Sequence, residues 1–412
     1  MAEMAPAVRR DLEFFPVAYE GKQVVLIRDH LGLVQEGKAI ELPVYQFMTL
    51  LDGTRDLRDV QMAMIRQQGG VLVGMDEVKT LISHLDGAFL LESQRFRNAK
   101  DQIVQDFEVR SVRPCSHCGR AYPADAGQLE SRLSDILRTG PSRAARPDGK
   151  VIALVSPHID LSVGQKGYAS AYQWLERKSP SRVVVLGVGH QMAHDLFSLT
   201  EKDFETPLGT AKGDRAAVRA LRHVGGDALA TNDFAHRAEH SIEFQILFLQ
   251  HVLKDQAFTI VPILCGFVGT SLPEFSREAY LGKTAPFVAA LREIVSEKET
   301  LVVAGVDFSH VGPKFGHQVP AHHLTGQSEA HDKNLLASLT DLNVPQFWEE
   351  SKRVQDQFNV CGFSALALLL EVLPECKGHL LHYETWHEEA TRSAVSFGSV
   401  VFLEEQAVGN RQ

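Results

Sequence analysis

Cysteine is scarce in this 412-residue chain, with five in all and three of them isolated in sequence. So sparse and odd a set excludes a disulfide-built scaffold and fits a reducing compartment. Basic residues are also in short supply. The 42 Lys and Arg against 52 Asp and Glu leave a formal net charge of −10, the wrong sign for the electrostatic footprint of a nucleic-acid binder. No apolar run reaches the roughly 20 residues of a membrane helix. The opening Met1-Ala-Glu-Met-Ala-Pro6 has no signal-peptide core. The expectation is a cytoplasmic protein without a membrane partner. Also missing are a Gly-x-x-x-x-Gly-Lys-Ser/Thr loop, a Gly-x-Gly-x-x-Gly after a strand, and a Gly-x-Ser-x-Gly elbow. Nucleotide hydrolysis, dinucleotide binding and serine-hydrolase chemistry therefore lack their usual signatures.

What the chain does have is histidine, 18 residues in all, within an ordinary globular composition of 44% hydrophobic and 23% charged residues. Its length is comfortable for two domains. Residues 1–93 read as a small α+β module: a hairpin within Val24 to Val34 turning near Asp29 and Gly32, then helical runs at 45–51, 57–68 and 75–85, and a short strand from Ala88. This order suggests a winged-helix-like accessory or dimerising domain. Residues 94–114 mix both signs of charge with few apolar residues and read as a linker. From 115 to 405 strand and helix patterns alternate, which predicts an α/β fold with a mainly parallel sheet covered on both faces, followed by a tail at 406–412.

Three apolar runs in this second domain end on polar residues: Val151 to Ser156 before Pro157-His158, Arg182 to Val188 before Gly189-His190, and Leu301 to Val306 before Asp307-Phe308-Ser309-His310. Ligands bind beyond the carboxyl ends of strands in parallel α/β sheets, so these histidines can converge on one site. Glu239-His240-Ser241-Ile242-Glu243 stands at a helix start with Ser241 as the expected cap, and gathers carboxylates and an imidazole. Cys361 precedes another helix, where a thiol has its pKa pulled down and serves as a nucleophile or metal ligand. Either Cys361 or the loop around His387 can complete a metal site begun by two histidines. Cys115-Ser-His-Cys118 has the spacing of half a zinc knuckle or of a redox pair, though no second Cys-x-x-Cys accompanies it.

Together, Tyr122-Pro-Ala-Asp125, Ser156-Pro-His158, Gly187-Val-Gly-His190, Glu205-Thr-Pro-Leu-Gly209, Glu239-His-Ser-Ile-Glu243, Asp307-Phe-Ser-His310, Cys361-Gly-Phe363 and Ser393-Ala-Val-Ser-Phe397 resemble, in order, the motifs of the Memo family, also called AmmeMemoRadiSam system protein B. The resemblance implies the fold of the class III extradiol dioxygenases. It implies His158 and His190 as metal ligands, Cys361 as the third ligand, and His310 as an acid/base beside Asp307, with Glu239 and His240 lining the pocket. After Cys361-Gly362 the chain continues Phe363-Ser364, where eukaryotic members continue with basic residues and a proline, so His387 stays as an alternative third ligand. The implied cofactor is one mononuclear metal ion, Fe(II) or Zn(II), with copper as a further choice. The implied function is metal-dependent oxidoreductase chemistry on a small-molecule or peptide-linked substrate. The alternative is a non-catalytic scaffold that captures a peptide or partner, with radical SAM and Amme-type proteins as the implied partners and the oligomeric state left open. The first domain, with its Leu51-Asp52-Gly53 turn, resembles the small domains that capture peptides in peptide-modification pathways.

Overall fold

The computed structural model describes residues 3–19, 21–35, 37–141, 149–175, 180–192, 194–254, 256–297 and 299–404, so the expected tail lies outside the described residues. The chain divides into two compact units, Met1–Val109 and Arg110–Gln412.

The first unit starts with strands β1 (Leu12–Tyr19), β2 (Lys22–Asp29) and β3 (Ala39–Glu41), which form an antiparallel sheet in that order. Helices α1 (Leu42–Met48), α2 (Leu57–Gln67), α3 (Met75–Gly87) and α4 (Gln94–Glu108) follow. The turn expected near Asp29 is present: the Asp29 carboxylate accepts the N–H groups of Leu31, Leu33 and Val34, and Gly32 takes φ +77°. The strand expected from Ala88 is not; Leu91 makes a single bridge to Val8. The expected linker is also corrected. Its first part is α4, because Phe96, Ile103 and Phe107 recur at helical spacing and give the charged stretch one apolar face, on which Phe96 and Phe107 are buried.

The second unit opens with β4 (Val112–Arg113), α5 (Ala126–Arg138), β5 (Val151–Ser156), α6 (Gln165–Tyr172) and β6 (Arg182–Val188). Short strands β7 (Phe197–Leu199), β8 (Asp203–Thr206) and β9 (Gly209–Gly213) lead to α7 (Arg215–Gly225), α8 (His240–Val252) and β10 (Thr259–Cys265). Then come α9 (Val268–Ser271), α10 (Arg277–Ser296), β11 (Thr300–Gly305), β12 (His310–Val311), α11 (Thr325–Thr340), α12 (Val344–Val354) and α13 (Phe363–Val372). Two long strands close the fold, β13 (Cys376–Glu388) and β14 (Ser393–Glu404).

Among the described residues these strands build one sheet in the order β12-β14-β5-β11-β6-β10-β9-β8-β4, with β13 on β14 and β7 on β10. Its centre, β5-β11-β6-β10, is parallel, and β14 runs antiparallel beside β5. Alternation along each strand feeds two cores. Val184, Leu186 and Val188 of β6 pack with α10 and α13 on one face, whereas Val183 and Val185 pack with α5 and α8 on the other. With both faces covered, the strand ends are where function can sit. β11 lies between β5 and β6, so residues beyond those three strands become neighbours.

Candidate metal centre

His158, Asp307 and His190 each lie two residues beyond the carboxyl end of one of these adjacent strands, β5, β11 and β6. The turn after β5 is fixed by Asp307, whose Oδ1 accepts the backbone N–H of His158 at 3.0 Å. His158 is buried, and its Nδ1–H donates to the Gly305 carbonyl at 2.9 Å, which leaves Nε2 as the lone-pair nitrogen facing the site. Across the site, the His190 Nδ1–H meets the Glu239 carboxylate at 3.0 and 3.1 Å. Both rings are thus held by their outer nitrogen, as metal-ligating imidazoles are.

The third donor arrives on the connection from α12 to α13. Cys361 Sγ lies 3.6 Å from His158 Nε2 and 3.6 Å from the Asp307 carbonyl. The donor atoms of His158, His190 and Cys361 all fall within 4.8 Å of one another, the compactness a mononuclear site requires. Two imidazoles and a thiol form a coherent donor set for zinc, copper or iron. His387, the alternative third ligand, is exposed on β13 opposite Ala394 and joins no such group among the described residues.

Gly362 is what brings the thiol this close: a Cβ there would stand 2.6 Å from both the Asp307 carbonyl and the Val306 Cβ. Gly362→Ala is expected to cost about 1–3 kcal/mol by overpacking and to weaken metal binding as Cys361 is displaced, checked by denaturant titration alongside metal titration. Gly187 plays a similar part beneath α8, where a Cβ would meet Ile242 and Ser241 at 2.6 Å.

The electrostatics differ from the sequence expectation at Cys361. Burial pushes the thiol well above its ordinary pKa, and the Asp307 charge adds to this, so the helix start does not lower it. Burial likewise lowers His158, with Asp307 opposing. Burial opposes protonation of His190 too, but the Glu239 carboxylate outweighs it and the pKa is raised. Glu239 is held well below the carboxylate range by His190 and by helix N–H groups that overcome its own burial.

A third imidazole reaches the pair, that of His240. The His240 ring stacks on His190 at 5.1 Å and stands edge-on to His158 at the same separation. Ser241 does not cap α8. Glu239 is the N-cap, its carboxylate accepting from the N–H groups of His240 and Ser241, while the Ser241 hydroxyl bonds to the Val188 backbone on β6. One carboxylate therefore starts the helix and orients His190.

His310 sits on β12, its Nδ1–H donating to the Phe308 carbonyl at 2.9 Å and its ring edge-on to Phe315. Burial lowers its pKa to about 4, with Asp307 opposing and His158 reinforcing. At neutral pH it is an uncharged imidazole with Nε2 as its acceptor.

Two supports escaped the sequence reading. Arg113, within the expected linker, is completely buried and donates to the carbonyls of His236 and Glu239 at 2.8 Å and to Glu243. Glu243 also accepts from Tyr122, from the Ser116 hydroxyl, and from the backbone N–H groups of Ser116 and His117. These bonds anchor the first turn of α8. Similarly, buried Asp332 accepts from Ser309, Tyr383 and Ser396 and fixes the Asp307–His310 segment. Its partners lie 23 to 64 residues away, so only topology reveals it. Cys115 and Cys118 are joined as a disulfide, and no donor group of three among the described residues includes them.

A family model described as Memo-like protein matches residues 113–401. A MEMO1 family protein of Aquifex aeolicus is 30% identical over 97% of this chain and 100% of its own length. Another from Thermus thermophilus is 27% identical over 84% of this chain and 99% of its own. A memo-1 homologue of Caenorhabditis elegans is 28% identical over 63% and 71%.

Proposed function

This chain belongs to the Memo-like protein family, and from that premise we propose that its α/β unit binds one metal ion through His158, His190 and Cys361. We further propose that it is a metal-dependent oxidoreductase of the extradiol dioxygenase-like kind, acting on a small or peptide-linked substrate. One observation carries the reading. Three soft-to-borderline donors lie within 4.8 Å of one another while the outer nitrogens of both imidazoles are already taken. A bound ion would supply Lewis acidity toward a substrate oxygen and, were it iron, redox chemistry with oxygen.

The chain's own groups do the rest. Gly305 and Glu239 hold the two rings in the tautomer that presents Nε2. Cys361 would hold the ion as its thiolate, the ligating form of the side chain. Asp307 fixes the turn that carries His158. His240 lays its ring against His190 and His158, its pKa well below the usual value through burial despite the neighbouring Glu239. His310 is the proton acceptor for a bound hydroxyl, a role of the kind that contributes ~10²–10⁴ in rate.

The test is elemental analysis of full-length protein purified without added metal, with spectroscopy for ferrous iron and for copper. The expected result is about one ion per chain. Protein that stays metal-free after anaerobic incubation with Fe(II), Zn(II) and Cu(I) would overturn the assignment.

A further inference from the structure

The Cys115–Cys118 disulfide is not used by the metal site, yet it sits on the same scaffold. The two residues it encloses, Ser116 and His117, both donate backbone N–H groups to Glu243 on α8, each at 3.0 Å. The Ser116 hydroxyl donates to Glu243 at 2.9 Å and receives the Arg113 guanidinium at 2.8 Å. His117 packs its ring 5.6 Å from His240 and 5.9 Å from Phe244. The disulfide therefore closes a small ring whose interior anchors the start of α8 and whose one aromatic side chain leans on the third imidazole of the cluster.

A bridge gains stabilising power with the length of loop it closes, and this one spans a sequence separation of three, so it is a poor staple. The Cys-x-x-Cys spacing is instead that of exchange pairs. Access agrees with this. Both bridged cysteines are half-buried, whereas Cys265, Cys361 and Cys376 are buried, so a soluble thiol meets the pair first.

We propose that Cys115–Cys118 is a reversible thiol–disulfide exchange site whose partner is a dithiol reductant, and that reduction loosens the 115–118 turn that seats His117 against His240. A thiolate of the reductant attacks one sulfur of the pair and the S–S bond breaks, leaving a mixed disulfide and one protein thiolate. The reductant's second thiol then attacks the mixed bond and departs as its own disulfide. Two electrons pass from the dithiol to the pair, and the two protons lost by the reductant end on the two cysteines. A disulfide oxidant runs the sequence backwards.

The experiment uses the full chain purified in air. Free thiols are alkylated under denaturing conditions before and after exposure of the folded protein to dithiothreitol, and counted by mass. The expected counts are three before and five after, returning to three with oxidised dithiothreitol. Five thiols at the outset, or a bridge that the folded protein never yields, overturn the exchange site. Hydrogen exchange of the segment 113–122 is followed in parallel, and reduction should speed it about 5-fold or more, the lower end of ordinary coupling between sites. Identical exchange in both states overturns the link to His117. The Cys115→Ser/Cys118→Ser variant should match the reduced wild type and ignore the reductant. Both readouts are also made on wild type alone and need no bound metal, so they stand or fall separately from the metal reading.

Discussion

Alanine at His158 or at His190 is expected to strip the metal from the protein, while alanine at His310 is expected to leave it bound. The first two side chains supply imidazole nitrogens that lie within 4.8 Å of each other and of Cys361 Sγ. Losing an outer-shell partner of such a ligand commonly costs 10–100-fold in metal affinity, roughly, and losing the ligand itself must cost more. His310 is placed otherwise. Its Nδ1–H is committed to the Phe308 carbonyl, its ring packs on Phe315, and it belongs to no donor group among the described residues. Elemental analysis after dialysis, with circular dichroism to show that each variant is folded, reads the outcome directly. Full occupancy in both strand-end variants would sink the site. Loss of metal in His310→Ala would move that residue from proton handling into the ligand set.

The contrast between these histidines also shows how much of the site was legible in the sequence. His158 and His190 stand out because an apolar run followed by a small residue or proline and then histidine is a readable local pattern, and both fall at strand ends as expected. Asp307 follows the same rule. What no local pattern contains is the lateral order of the strands. Placing β11 between β5 and β6 sets Asp307 between the two histidines and gives the Gly305 carbonyl to His158, a contact across 147 residues. For the same reason the ring contacts of His240, at a helix start, with both strand-end histidines could not be read locally. Arg113 was hidden by composition. In a stretch dense with charges an arginine reads as solvated, and only its partners at 123 to 130 residues' separation make it a buried anchor. The parallel core was legible throughout, since continuous runs such as Val183 to Val188 suit only a sheet covered on both faces.

Glu243→Ala is expected to destabilise the protein by about 3–5 kcal/mol, the range for breaking one partner out of a buried ion pair. The Glu243 side chain and the Arg113 guanidinium are both fully buried, and the carboxylate also receives Tyr122, Ser116 and the N–H of His117. Truncation would leave these donors facing a void, and the start of α8, with Glu239 and His240, would lose its anchor. Acid should reveal the same interaction in the unaltered protein. Burial alone would raise the Glu243 pKa, but Arg113 and the hydrogen bonds hold it well below the ordinary 4.5. A carboxylate depressed by folding contributes stability that is complete above its unfolded pKa and is lost as pH falls towards the folded value. The contribution should therefore be intact at neutral pH and decline below about pH 4.5. Glu243→Gln keeps the shape without the charge, so the difference in denaturation midpoint between it and the wild type should hold steady from about pH 7 to 5 and shrink as pH is lowered from about 4.5 to 3. A pH-independent difference would mean that the charge carries no part of the anchor. An alanine variant costing under about 1 kcal/mol, the worth of an exposed pair, would mean that α8 is held in place by its apolar face alone.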